Sequence, residues 1–172
     1  MSIGMWAGPE EEELSPYGAK VKQLSDAGII ICAAAGNEGQ NIDDPHDTEK
    51  FDYRGKLSYP ACFKVENMIS VGASTSGDGC AVYSNYSSSG KWVDIFAPGD
   101  NILSTCRRSW IVNPSSDVDT FDPSGYVSIS GTSMASPYVA GAAALLCSLY
   151  PDKSAAEIRS MLLNGAEHGL LA

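Results

Sequence analysis

The chain reads as an α/β protein built on a mainly parallel sheet, and three features of its 172 residues carry that reading. The first is a continuous apolar run, Ile29-Ile30-Ile31-Cys32-Ala33-Ala34-Ala35, which stops at Gly36-Asn37-Glu38-Gly39. A strand that is apolar at successive positions is covered on both faces, and such strands belong to parallel sheets with helices above and below. The second is a pair of shorter runs, Met68-Ile69-Ser70-Val71-Gly72-Ala73 and Trp92-Val93-Asp94-Ile95-Phe96-Ala97, the latter ended by Pro98-Gly99. The third is Ala140-Gly141-Ala142-Ala143-Ala144-Leu145-Leu146, small and apolar nearly all round, which predicts a helix buried on every side. Strand, polar loop, strand and buried helix in succession make a layered α/β domain.

The remaining elements follow in order. Residues 15–27 have helical spacing, with Tyr17, Val21 and Leu24 on one face and Gly28 closing the helix. Residues 40–57 are polar and acidic and predict a long surface loop. Residues 107–124 are a second polar excursion, after which Tyr126-Val127-Ser128-Ile129 leads toward the small-residue helix. Thr132 or Ser133 is placed to cap that helix, and Pro137 is expected in its first turn, where a missing N–H costs least. A last helix is expected to start at Lys153 or Ser154 and to run through Ile158, Met161 and Leu162 to about Asn164.

Composition bounds the function. Hydrophobic residues make up 44% of the chain, enough for a sizeable core. Eleven Lys and Arg stand against 21 Asp and Glu, and the net charge of −10 opposes a nucleic-acid partner or an anionic membrane. No run approaches the ~18 consecutive apolar residues of a membrane span, and Met1-Ser2-Ile3-Gly4 leads into Gly, Pro and Glu rather than a leader. The five cysteines form no Cys-x-x-Cys and have no histidine at zinc spacing, so no metal site is assigned to them. Cys32 and Cys147 are expected in the core, and a disulfide among Cys62, Cys80 and Cys106 stays open. The carboxylates of residues 43–52, and Asp117, Asp119 and Asp122, are candidate oxygen clusters for calcium, although long acidic loops are ordinarily solvated.

Two residues stand where chemistry is favoured. Ser133 is a hydroxyl at the positive end of a buried helix, where unpaired N–H groups and the macrodipole favour developing negative charge. Taken alone it reads as an N-cap. Asn37 follows the buried strand at its carboxyl end, where ligands of parallel sheets gather. Taken alone it reads as a turn residue tolerant of the left-handed conformation. A dinucleotide loop is opposed by the lack of Gly-x-Gly-x-x-Gly.

Gly131-Thr132-Ser133-Met134-Ala135-Ser136-Pro137, with Val139-Ala140-Gly141 after it, closely resembles the nucleophile motif of the subtilisin-like serine proteases. Ala135 stands where the α/β-hydrolase elbow has its second glycine. Ala33-Ala34-Ala35-Gly36-Asn37-Glu38-Gly39 resembles the oxyanion segment of the same family, and Ser2-Ile3-Gly4 its substrate-binding strand. Tyr59-Pro60-Ala61 and Val93-Asp94-Ile95-Phe96-Ala97-Pro98-Gly99 add further matches, so the resemblance runs from residue 1 to about 165. It implies the C-terminal portion of a doubly wound, mainly parallel sheet with helices on both faces, with residues 1–172 forming part of a peptidase domain. It implies a serine endopeptidase in which Ser133 forms an acyl-enzyme, and Asn37 with the Ser133 N–H holds the oxyanion. Ser2, Ile3 and Gly4 would pair with a polypeptide substrate by β-addition, and Ala34, Ala35 and Gly36 would wall the pocket for a sizeable apolar side chain. No cofactor is implied beyond structural calcium, and carbonyls near Ala61 and Phe63 resemble the region of a weak cation site. The family also suggests a secreted or extracytoplasmic protein.

The departures carry as much weight. The family orders its triad Asp, His, Ser, yet this chain has no Asp-[Ser/Thr]-Gly and no His-Gly-[Thr/Ser]. Its two histidines, His46 and His168, lie in the acidic loop and the tail. Met1 is therefore expected to correspond to an internal position of a longer domain, and the family's closing segment is also lacking. A serine hydroxyl without a base is a poor nucleophile, so these residues alone are expected to show only residual catalysis. Two other readings stay open: a peptide-binding module or pseudoprotease that keeps the groove without the base, and an unrelated α/β domain in which Ser133 is a cap.

Overall fold

The computed structural model describes residues 1–9, 15–48, 51–106, 120–122 and 125–167. In chain order the elements are β1 (Met5–Ala7), α1 (Pro16–Asp26), β2 (Ile31–Ala34), β3 (Leu57–Tyr59), β4 (Met68–Ser74), β5 (Ile95–Pro98), β6 (Ile102–Thr105), β7 (Thr120–Asp122), β8 (Tyr126–Ile129), α2 (Thr132–Leu149) and α3 (Ala155–Asn164). The three apolar runs form one parallel sheet in the order β2-β4-β5, with Ile31 opposite Met68 and Val71 opposite Ile95. Met1 lies alongside β2. Its ammonium donates to the Cys32 carbonyl, and the Ala34 N–H donates to the Met1 carbonyl at 3.0 Å.

Side-chain alternation across the sheet divides the interior in two. Ile31, Ala33, Ala35 and Met68 pack with Val21 of α1, Tyr59 and Phe63 on one face. Cys32, Ile69, Val71, Ala73 and Ala97 pack with Ala135, Val139 and Ala143 of α2 and Leu162 of α3 on the other. Helices therefore cover both faces, as the sequence predicts. Two small antiparallel sheets, β1-β3 and β6-β8-β7, were not predicted. Their strands of three or four residues are too short for a periodicity, and β7 lies inside the polar excursion of residues 107–124.

The central helix departs from expectation in several ways. Only Thr132, Ala135, Ser136, Val139 and Ala143 of α2 are buried, one face of the helix rather than its whole circumference. A second stripe is apolar and open, with Tyr138 at 51%, Leu145 at 68% and Leu149 at 70% exposure. Cys147 is exposed and lines a cavity with Ala140 and Ala143 rather than lying in the core. Pro137 falls in the second turn, and the helix starts from Gly131 with no side-chain cap from Thr132 or Ser133. Finally, α2 spans 18 residues at a mean hydropathy of 1.3, long and apolar enough to cross a membrane by length and composition. Packing against β2, β4 and β5 makes it instead the cover of one sheet face. All five cysteines are free thiols, which closes the disulfide among Cys62, Cys80 and Cys106. Burial pushes the Cys62 thiol up to about 12.

Each end helix starts as the sequence predicts. Ser15 accepts from the Gly18 N–H at 3.0 Å, and Ser154 forms a reciprocal cap with Glu157. The Lys153 ammonium, the Ser154 N–H and the Ser154 hydroxyl hold the Glu157 carboxyl at about 2. A carboxyl depressed in the folded state contributes stability above its unfolded value, and that contribution fades as pH falls toward its folded value. Glu157→Gln is therefore expected to lower the thermal midpoint at pH 6 and to match the parent chain near pH 2. Melting curves of both proteins across that range check it.

Candidate active site

The site forms where the carboxyl end of β2 meets the start of α2. Asn37 Oδ1 accepts two hydrogen bonds from Thr132, from its N–H at 2.8 Å and from its hydroxyl at 3.0 Å. The Thr132 hydroxyl in turn accepts from the Gly36 N–H at 3.1 Å. With its oxygen committed to these donors, the amide of Asn37 turns its Nδ2 away from them. Neither Asn37 Nδ2 nor the Ser133 N–H has an acceptor among the described residues. Asn37 is not in the left-handed conformation; the turn places positive φ on Gly36 and Gly39 instead. The simple turn-residue account of Asn37 therefore fails.

Ser133 is half-buried and bound to Ser2 in both directions. Its hydroxyl donates to the Ser2 carbonyl at 3.2 Å, and the Ser2 hydroxyl donates to the Ser133 carbonyl at 3.1 Å. The second bond has a backbone cause. Four residues on from Ser133 stands Pro137, which has no N–H to give, so the Ser133 carbonyl is an orphan inside the helix. Gly131 allows the approach to α2 with φ 156° and ψ 158°, a conformation nearly confined to glycine. Ser133 is thus not a cap, and the cap alternative is corrected by the geometry.

A cleft of about 170 Å³ opens beside these groups, lined by Ser2, Ile3, Gly4, Ala34, Gly36, Asn37, Thr132 and Ser133, with Met5, Trp6, Glu38 and Ser58 completing it. All but one of the predicted site residues thus meet in one place. The exception is Ala35, which has no exposed surface and points into the α1 side of the core. Period-two alternation along the strand puts Ala34 and Gly36 on the cleft and Ala35 behind it. Glu38, Ser58 and Thr132 were missed, because each is placed by chain segments far from it in sequence. His46 is exposed, bound through its backbone N–H to Gln40 Oε1, and is not a lining residue of the cleft. His168 lies outside the described residues.

The acidic loop has other uses for its carboxylates. Asp43 accepts from the hydroxyls of Ser87, Ser88 and Ser89 and from the Ser89 N–H. Desolvation pushes the Asp43 carboxyl up, but these serines outweigh it and hold the group below the usual range. Asp47 and Asp52 pair with Arg54. Among the described residues no three His, Cys, Asp or Glu side chains converge as a metal site would need. Asp117 and Asp119, and the side chain of Asp122, lie outside the described residues. Near Ala61 and Phe63, the Asp94 carboxylate is taken by Arg159 at 2.7 Å, with Lys64 and Lys91 at the same cavity. That cavity is crowded with cationic side chains and does not suit a metal cation.

The sequence profile of the Subtilase family matches residues 1–171. The chain belongs to the subtilase family. It is 36% identical over 140 residues to Subtilisin DY of Bacillus licheniformis, covering 81% of this chain and 40% of that protein. To the serine protease AprX of Bacillus subtilis it is 34% identical over 166 residues, covering 92% of this chain and 35% of that one. A cold adapted subtilisin-like serine proteinase superimposes with a TM-score of 0.69 at 28% identity, covering all of this chain and 49% of its own. A protease of Pseudoalteromonas arctica superimposes with a TM-score of 0.72 at 27% identity, covering 44% of its own chain. This subtilase chain therefore spans less than half the length of these relatives.

The site tolerates nothing larger than hydrogen on Gly36. A Cβ there would lie 2.3 Å from Asn85 Nδ2 and 2.6 Å from Glu38 Oε2, at a φ of +105°. Gly36→Ala is expected to cost about 1–3 kcal/mol of stability through overpacking and backbone strain. Denaturant unfolding of the variant beside the parent measures it.

Proposed function

We propose that this subtilase chain is the nucleophile-bearing part of a serine endopeptidase. Ser133 attacks the scissile carbonyl of a polypeptide to form an acyl-enzyme, and the Ser133 N–H with Asn37 Nδ2 receives the oxyanion. The observation that carries this reading is the commitment of Asn37 Oδ1 to Thr132, which leaves two donors without acceptors at one cleft. Ser2, Ile3 and Gly4 line that cleft with exposed backbone, suited to pairing with an extended peptide. Its walls at Ala34 and Gly36 leave room for a sizeable apolar side chain, and the Glu38 carboxylate adds an attraction for a basic tip.

Base and orienting acid come from a further part of the same domain. In this chain the only acceptor for the Ser133 hydroxyl among the described residues is the Ser2 carbonyl, which cannot take its proton. The open stripe of Tyr138, Leu145 and Leu149 and an apolar cleft of about 410 Å³ along α2 are where that further part packs. The chain alone is then inactive, and no cofactor enters the chemistry. A second reading, a peptide-binding module without a base, is favoured by the same Ser133–Ser2 pairing. It differs in one respect: the base is lacking in the whole protein as well.

A fluorophosphonate probe tests the two. It is expected to label Ser133 in the complete protein and to leave the 172-residue chain unlabelled, with Ser133→Ala abolishing labelling. An unlabelled complete protein would falsify the enzyme reading and leave the binding module. Asn37→Ala is expected to lower kcat about 10²–10³-fold, a range taken from the known loss of this family's oxyanion asparagine and not calculated from this structure. Glu38→Gln is expected to lower kcat/KM for substrates with Lys before the cut while sparing those with Leu, measured on paired peptides.

A further inference from the structure

The turn that carries Asn37 is gripped by a buried side chain with no part in the family's triad. Asn85 has no exposed surface. Its Oδ1 accepts from the Glu38 N–H at 3.2 Å and from the Gln40 N–H at 2.9 Å. Its Nδ2 donates to the Ala35 carbonyl at 2.9 Å and to Glu38 Oε2 at 2.6 Å. Its backbone N–H donates to the Gly36 carbonyl at 3.0 Å. These bonds bracket Asn37 on both sides, and none touches Asn37 itself. Around them the Gly39 N–H donates to the Tyr83 carbonyl at 2.7 Å, and the Tyr86 N–H to the Gln40 carbonyl at 3.0 Å.

An asparagine amide offers two acceptor sites and two donors in one plane. All four are used here. Serine has one hydrogen to give where two acceptors wait. Aspartate would set a carboxylate against the Ala35 carbonyl and the Glu38 carboxylate.

We propose that Asn85 is a positioning residue of the oxyanion hole, a proposal that rests on the protease reading above. It acts through the Ala35–Gln40 turn, and Thr132 holds the far end of the same amide. With the backbone fixed by Asn85 and the oxygen by Thr132, the Nδ2 of Asn37 has one direction left. Without Asn85, two N–H groups and a carbonyl lose their partners inside the protein, and the turn shifts to recover them. A shift of about 1 Å at a group acting on the transition state costs on the order of 10²-fold in rate.

The test compares kcat for the parent, Asn85→Ala, Asn37→Ala and the double variant in the complete protein. Asn85→Ala is expected to lower kcat about 10–100-fold with KM changed far less. In the Asn37→Ala background the same change is expected to cost less than about twofold, because coupled residues are non-additive. Equal losses in both backgrounds would overturn the proposal, since they would mark a general structural role. Asn85→Ser keeps one donor and one acceptor and supplies an intermediate loss if Asn85→Ala does not fold. Should the complete protein show no Ser133-dependent hydrolysis, the protease reading fails, and hydrogen exchange then decides the positioning claim. Faster exchange at Glu38 and Gln40 in Asn85→Ser, with β4 unchanged, supports it; unchanged exchange at those two amides overturns it.

Discussion

One joint holds the site together: the amide oxygen of Asn37 against the N–H and hydroxyl of Thr132. It fastens the carboxyl end of β2 to the first residue of α2, two points far apart in the chain. Each such bond contributes about 1 kcal/mol net, but leaving a buried donor unpaired costs about 1–3 kcal/mol. Thr132 has no exposed surface, so breaking the joint carries the larger figure. The penalty, more than the gain, keeps the strand end and the helix start in register. Parallel sheets gather loops at their carboxyl ends and helices present unpaired N–H groups at their starts, so this is where an anion is best received.

The Ser2–Ser133 pair is a second joint of the same kind. Proline inside α2 removes one helical hydrogen bond, and the freed carbonyl is satisfied from outside the helix by the Ser2 hydroxyl. The exchange ties the strand proposed to bind substrate to the residue proposed to attack it. It also parks the Ser133 hydroxyl on a carbonyl that can orient it but cannot activate it. Among the described residues, that carbonyl is the one acceptor the Ser133 hydroxyl meets.

Surface character divides along the same line. The loops are acidic and largely self-satisfied, with Asp43 held by three serines and Asp47 and Asp52 by Arg54. The outer face of α2 is apolar and unsatisfied. The chain thus carries an exposed apolar stripe beside loops whose charges are met within them.

Local pattern was enough for the parallel strands, for the helices after Ser15 and Ser154, and for singling out the stretches that carry Asn37 and Ser133, because each is written in contiguous residues whose burial follows from composition. The tertiary structure decided what depends on distant partners. Ala35 left the cleft for the core, since alternation along β2 is anchored by its pairing with β4. α2 proved buried on one face only, because small apolar residues specify that a helix can be covered, not how much of it is. Asn85, Thr132 and Glu38 entered the site through hydrogen bonds that span the fold, and a side chain's capacity to make such bonds is visible in sequence while its partners are not.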